Sequence, residues 1–169
     1  GQISTDGDAP AALADRVDAL RAAHAAGTVG ARIDAMRILW GGDERPSYAG
    51  LIATSRAAAA LPVAQADAQD ATRLIAAMLS AGYDRNAAHW GRALGQLQGD
   101  VRDAWALLAL GAPTSVVDIG RGRVSDYIGA VGPQKGRMLL AGLAGLSRLS
   151  AQDAAQLAAD NGLTLVPNS

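Results

Sequence analysis

The chain has 169 residues, a formal net charge of −1, and apolar side chains at half of its positions. That length suits one domain with a real core, and the near-zero charge supplies no general field for nucleic acid or an anionic lipid surface. Cys is absent, which removes disulfides, thiolate chemistry and Cys-based zinc sites.

The chain also has 39 Ala and no Phe, so its core must be built from thin helices packed closely. Six aromatics, Trp40, Trp90, Trp105, Tyr48, Tyr83 and Tyr127, have to supply much of the bulky contact. Arg outnumbers Lys 14 to one and Asp outnumbers Glu 15 to one. Helical proteins ordinarily draw on Lys and Glu, so the skew reads as codon bias of a GC-rich bacterium. Lack of Cys leans the localisation toward the periplasm and leaves the cytosol open. The chain begins at Gly1, which leaves a fragment, a processed exported chain and simple Met removal all open.

Residues 1–9 have no apolar period and many turn formers, and read as a flexible lead-in. Asp8 is a good N-cap with Pro10 in the tolerated first turn. Leu13, Val17, Leu20 and His24 then fall at i, i+4, i+7 and i+11, one stripe of a first helix that Gly27 ends. A second helix carries Val29, Ile33, Met36 and Trp40 on one face and stops at Gly41. Ser47 caps a third, which Pro62 breaks. A fourth covers about 64–81 with Ala71, Leu74, Ile75 and Met78 inward. Asp84 caps a fifth whose apolar face is Ala87, Trp90, Leu94 and Leu97; His89, rotated about 100° from Trp90, points to solvent. Asp100, with Asp103 at the box position, starts a sixth that Gly111 to Pro113 breaks.

Residues 114–120 read as one helical turn or a short extended piece, and 124–131 as a short amphipathic run. A strong helix spans roughly 134–148 with Met138, Leu139, Leu143 and Leu146. Ser150 with Asp153 opens a last helix that Asn161-Gly162 ends; Leu163, Leu165 and Val166 are placed to dock on the body. No strand set emerges. The expected fold is all-α, with about 7–8 helices as antiparallel hairpins, stacked as a short α-solenoid or an irregular bundle. The domain is expected over 10–166, with a tail at 167–169. The longest strongly apolar runs, 105–112 and 138–146, are about half the roughly 20 residues a membrane span needs, so no transmembrane segment is expected.

Residues 15–39 can be laid on 70–94. Asp15, Ala22, Ala26, Gly27, Arg37 and Leu39 then match Asp70, Ala77, Ala81, Gly82, Arg92 and Leu94. The shared plan, helix, Ala-Gly turn, helix, resembles the hairpins of tetratricopeptide-like repeat proteins over at most residues 11–112. The offset is 55 residues where that family repeats every 34, and the family's Trp-Leu-Gly-Tyr spacing is absent. What the resemblance implies is a scaffold for protein binding.

Three groups are candidate sites. Arg85, His89 and Arg92 recur with Gln96 as a polar stripe opposite Trp90, able to hold a carboxylate, a phosphate or an acidic partner helix; the plain alternative is a solvated helix face. Arg121, Arg123, Lys135 and Arg137 sit among glycines, and the turn at Gly132 opens a helix whose N-terminus attracts anions. The alternative there is a surface loop with solubilising charges; the spacing is not that of a Walker A loop. His24, in an apolar stripe, reads as a packed structural histidine. His24 and His89 lack metal-ligand spacing, so no metal site is assigned. Asp43 and Glu44 are neighbours on one loop, whereas glycoside hydrolysis needs carboxylates facing each other across a cleft. No Ser has the context of a nucleophile.

No catalytic residue and no cofactor is therefore assigned. The expected function is a non-enzymatic helical domain that binds a protein or peptide. The rival is a small-anion-binding or enzymatic role using the Arg/Gly-rich segment at 120–137. A homo-oligomer stays open, because Gly91 and Gly95, or Gly142 and Gly145, allow backbones to approach closely within the chain or across a seam.

Overall fold

The computed structural model describes residues 8–41, 47–63 and 66–164, and among these every regular element is helical. The α-helices are α1 (Asp8–Ala25), α2 (Val29–Trp40), α3 (Tyr48–Ala59), α4 (Ala68–Ser80), α5 (Asp84–Ala88), α6 (Arg102–Gly111), α7 (Arg121–Val131), α8 (Pro133–Gly145) and α9 (Ala151–Asp160). Short 3-10 turns cover His89–Arg92 and Leu94–Gln96. The fold is all-α. Most helices pack on their neighbours in the chain: α1 on α2, α2 on α3, α3 on α4. Further along, α4 packs on α6, α6 on α8, and α8 on both α7 and α9. Of the stretches read as flexible or docking, residues 1–7, Asp43, Glu44, Leu165 and Val166 lie outside the described residues.

Caps fix most of the boundaries. The side chains of Thr28, Ser47, Asp67 and Ser150 each accept the backbone N–H three residues on, at the starts of α2, α3, α4 and α9. Ser47 and Ser150 were expected from the sequence. Asp100 acts from one residue further out than expected: it accepts the N–H of Arg102 at 3.0 Å, and Val101 is the residue before α6. Asp84 lies in the first turn of α5 and makes no side-chain cap. Gly132, at φ +85, ends α7 and lets Pro133 open α8 immediately.

One core cluster runs from Ala19 to Ala158. Trp40, Trp90 and Trp105 are all buried in it, the first two on the faces the spacing predicted. The inward face of α4 is as expected: Ala71, Leu74, Ile75 and Met78 have no exposed surface, and each of the three larger side chains gains about 1.5–3 kcal/mol from burial. Ile33, Met36 and Trp40 on α2 follow the predicted face too.

Three expectations are corrected. First, α1 buries Ala19 and Ala23, while Leu13 is 63% exposed and Val17, Leu20 and His24 also face solvent. An end helix that packs through Ala gets its axis closer to α2, and its larger apolar residues are left outside. His24 is thus not a packed histidine, and among the described residues it makes no hydrogen bond. Second, the fifth helix does not run to Gly99. It stops at Ala88 and continues as 3-10 turns, and there Gly91 brings its backbone against the chain at Val116; a Cβ on it would lie 2.6 Å from the Val116 carbonyl oxygen. The apolar face survives the change of winding, with Ala87, Trp90 and Leu94 buried. Third, α8 turns Leu139, Leu140 and Leu143 inward and leaves Met138 and Leu146 exposed. Residues 114–120 form no helix, and α7 begins at Arg121, three residues before the predicted run.

Of the paired glycines, Gly91 and Gly142 serve close packing inside the chain, the latter against Leu110, whereas Gly95 and Gly145 have open space around them.

Candidate functional site

The stripe Arg85, His89, Arg92 survives the break in its helix. Arg85 projects from α5, and His89 and Arg92 from the 3-10 turn that follows. All three are exposed, and they line one wall of a groove of about 980 Å³. Residues 113–117 form the facing wall. Gln96, the fourth member of the predicted stripe, does not line it.

The facing wall is held at several points. The indole N–H of Trp105 donates to the Asp118 carbonyl at 2.8 Å, and the Gly120 N–H donates to the Asp118 carboxylate at 2.8 Å. At the other end, the Arg148 guanidinium donates to the Ala109 carbonyl at 2.5 Å and also to the Ala112 carbonyl. These bonds satisfy the Ala109 carbonyl, one of the last of α6 and without a partner within the helix, and the Ala112 carbonyl just beyond it. In the middle, Val116 rests on Gly91. The extended wall is therefore fixed by side chains that sequence reading did not connect to it: Arg148 acts from roughly 40 residues away, and no local pattern reveals such a pairing.

The charges of the groove are unbalanced. Among the described residues its lining includes two guanidiniums and an imidazole and no carboxylate. Among the described residues, Arg85, His89 and Arg92 make no ion pair and no hydrogen bond.

A second cleft, of about 790 Å³, lies between α4, the start of α6 and the α7–α8 turn. It is lined by three carboxylates, Asp67, Asp100 and Asp103, and three cations, Arg73, Arg102 and Lys135. Arg102 holds Asp100 through its Nε at 2.8 Å and its Nη2 at 2.5 Å. Those side-chain bonds, followed by the Arg102 backbone N–H, lower the Asp100 carboxyl to about 2. Lys135 lies 3.4 Å from Asp103. Tyr127, its ring 5.3 Å from that of Trp105 and tilted 44° to it, has its phenol pushed up by burial and then by the Asp103 charge. Charges in this cleft largely satisfy one another.

The same is true of most of the segment 120–137. Arg121 bridges to Asp153 at 3.5 Å and to Asp160 at 3.2 Å, tying α7 to α9. Arg123 stacks over the Trp105 ring at 5.4 Å. Lys135 faces Asp103. Arg137 is exposed and makes no ion pair or hydrogen bond among the described residues. Arg121, Arg123 and Arg137 line neither cavity, and Lys135 lines the second cleft rather than the groove. The structure thus brings together the first predicted group, Arg85, His89 and Arg92, and does not join the second group to it.

No family model, curated protein or solved structure matches this chain.

Sequence reading missed a buried polar cluster. Asp70 of α4, 3% exposed, receives the Nε of Arg37 at 2.9 Å and its Nη2 as well. Asp34 and Asp67 pair with the same guanidinium. The Arg37 pKa is raised, chiefly by the Asp70 hydrogen bond. Arg73 lies 5.9 Å over the Trp40 ring, whose indole N–H donates to Thr54 at 2.8 Å. This cluster fastens α2 to α4 and α3, and it opens onto neither reactive geometry nor a metal: among the described residues no three His, Asp or Glu side chains are placed to hold a metal ion. No helix among them is long and apolar enough to cross a membrane.

Proposed function

We propose that this chain is a binding domain, not an enzyme, and that the groove between α5 and residues 113–117 receives an acidic segment of a partner protein. The observation that carries the reading is the charge imbalance: Arg85, His89 and Arg92 share one wall, no carboxylate among the described residues lines the groove, and none of the three is paired within the described chain. A neutral protein that pairs its other cleft cations and keeps these two guanidiniums unmatched offers complementarity to an anion from outside. Stacked helical hairpins, as in tetratricopeptide-like scaffolds, are a common support for such a groove. Because the cations are exposed, the interaction is steered by charge and weakens with salt.

The test is fluorescence anisotropy of a labelled Glu-rich peptide at low and physiological salt. The double variant Arg85→Ala, Arg92→Ala removes two exposed charge contacts of about 0.5–1 kcal/mol each, so binding should weaken by roughly 5–30-fold. The melting temperature should barely move, since both side chains are on the surface. A wild-type protein that ignores the peptide at low salt overturns the reading.

A further inference from the structure

We propose that the anion taken by this groove is a phosphate monoester carried on the partner peptide. The inference rests on the peptide-binding reading above and narrows its ligand. One carboxylate is satisfied by a single guanidinium fork. This groove holds two forks, Arg85 and Arg92, with the His89 imidazole between them in sequence, and the hydroxyl-bearing residues Thr114 and Ser115 on the opposite wall. The Ser115 hydroxyl donates to the Val117 carbonyl at 3.2 Å, so its proton is committed within the chain and it adds no donor for a phosphate. The Thr114 hydroxyl makes no hydrogen bond among the described residues and is available as a donor. A phosphate monoester carries about −1.5 to −2 charges at neutral pH and three strong acceptor oxygens. It therefore matches the two guanidiniums in charge and uses more of the donors than a carboxylate can. Among the described residues no acidic lining residue opposes the dianion. The other cleft makes the contrast: its three cations stand among three carboxylates, and a dianion there would meet repulsion as well as attraction.

The experiment compares three forms of one labelled, Glu-flanked peptide, with phosphoserine, Glu or Ser at its centre, and uses inorganic phosphate as competitor. The phosphoserine form should bind about tenfold more tightly than the Glu form, since it engages both forks. Arg85→Lys with Arg92→Lys keeps the charge and removes the forks, and should shrink that preference to about threefold or less. Both changes are at exposed positions, and circular dichroism checks that the helices are retained. Equal binding of the phosphoserine and Glu forms overturns this inference and leaves the acidic-peptide reading standing. No binding of any form overturns both. Inorganic phosphate that binds as tightly as the phosphopeptide overturns the peptide as carrier.

Discussion

Charged side chains in this protein fall into two kinds, those matched within the chain and those left facing outward. Asp100 is of the first kind, and its acidity can be measured. Its carboxyl titrates at about 2 against an ordinary 3.8, because the folded chain holds it ionised through Arg102. A depressed folded value means that the contribution to stability is present above about pH 4 and is lost as pH falls from there through about 2. Carboxyl-carbon NMR should place the Asp100 midpoint near the lower value, and Arg102→Gln should return it toward the ordinary one. Asp100 is more than half exposed, so the accompanying change in stability is small. A midpoint that does not respond to Arg102→Gln would show that the pair is not formed in solution. The i to i+2 spacing of this pair is local, yet its strength is not legible in sequence, since it depends on both side chains folding back over the start of α6. Asp70 is less legible still: its partner Arg37 is 33 positions away.

Helices were easier to read than the way they meet. Met138 and Leu146 of α8 stay outside, but the faces of α2 and α4, built on large side chains, followed their spacing because a Trp, Met or Ile that can be buried generally is. Faces built on Ala did not, and α1 is the case in point: Ala19 and Ala23 let it approach α2 closely, and its leucines stay outside. Winding departs from the expected helix at residues 89–96, where Gly91 admits another chain segment. The tightest such approach is at Gly50 of α3, where an added Cβ would lie 2.1 Å from the Leu39 carbonyl oxygen and 2.8 Å from its carbon. These are backbone atoms at the end of α2 and cannot swing aside. Gly50→Ala should therefore push α3 off α2 and cost about 2–3 kcal/mol or more, beyond any gain in helix propensity. Urea denaturation measures it; a variant as stable as the parent would mean that α2 and α3 are not in this contact. The groove was half legible. The stripe of Arg85, His89 and Arg92 is a local period, but its opposing wall comes from a segment whose conformation is set by Trp105 and Arg148.

Across the molecule, α4 is the element that joins the parts, touching α3, α5 and α6. Trp40 reports on the cluster of α2, α3 and α4, and Trp105 on α6, α7 and the groove wall. Because one core cluster includes both, urea unfolding of the unmodified protein followed by indole fluorescence and by far-ultraviolet circular dichroism should give the same midpoint. Separate midpoints would show that the chain does not melt as one unit. The charge pattern of the whole is as uneven as its chemistry: one cleft is balanced, one groove is not, and the net charge near zero conceals the difference. The bridge from Lys135 to Asp103 carries a practical consequence. Lys135 is the chain's one side-chain amine, so an amine-reactive dye or crosslinker has a single side-chain address, beside the balanced cleft and apart from the cationic groove. A reporter placed there would leave the proposed docking surface unmodified.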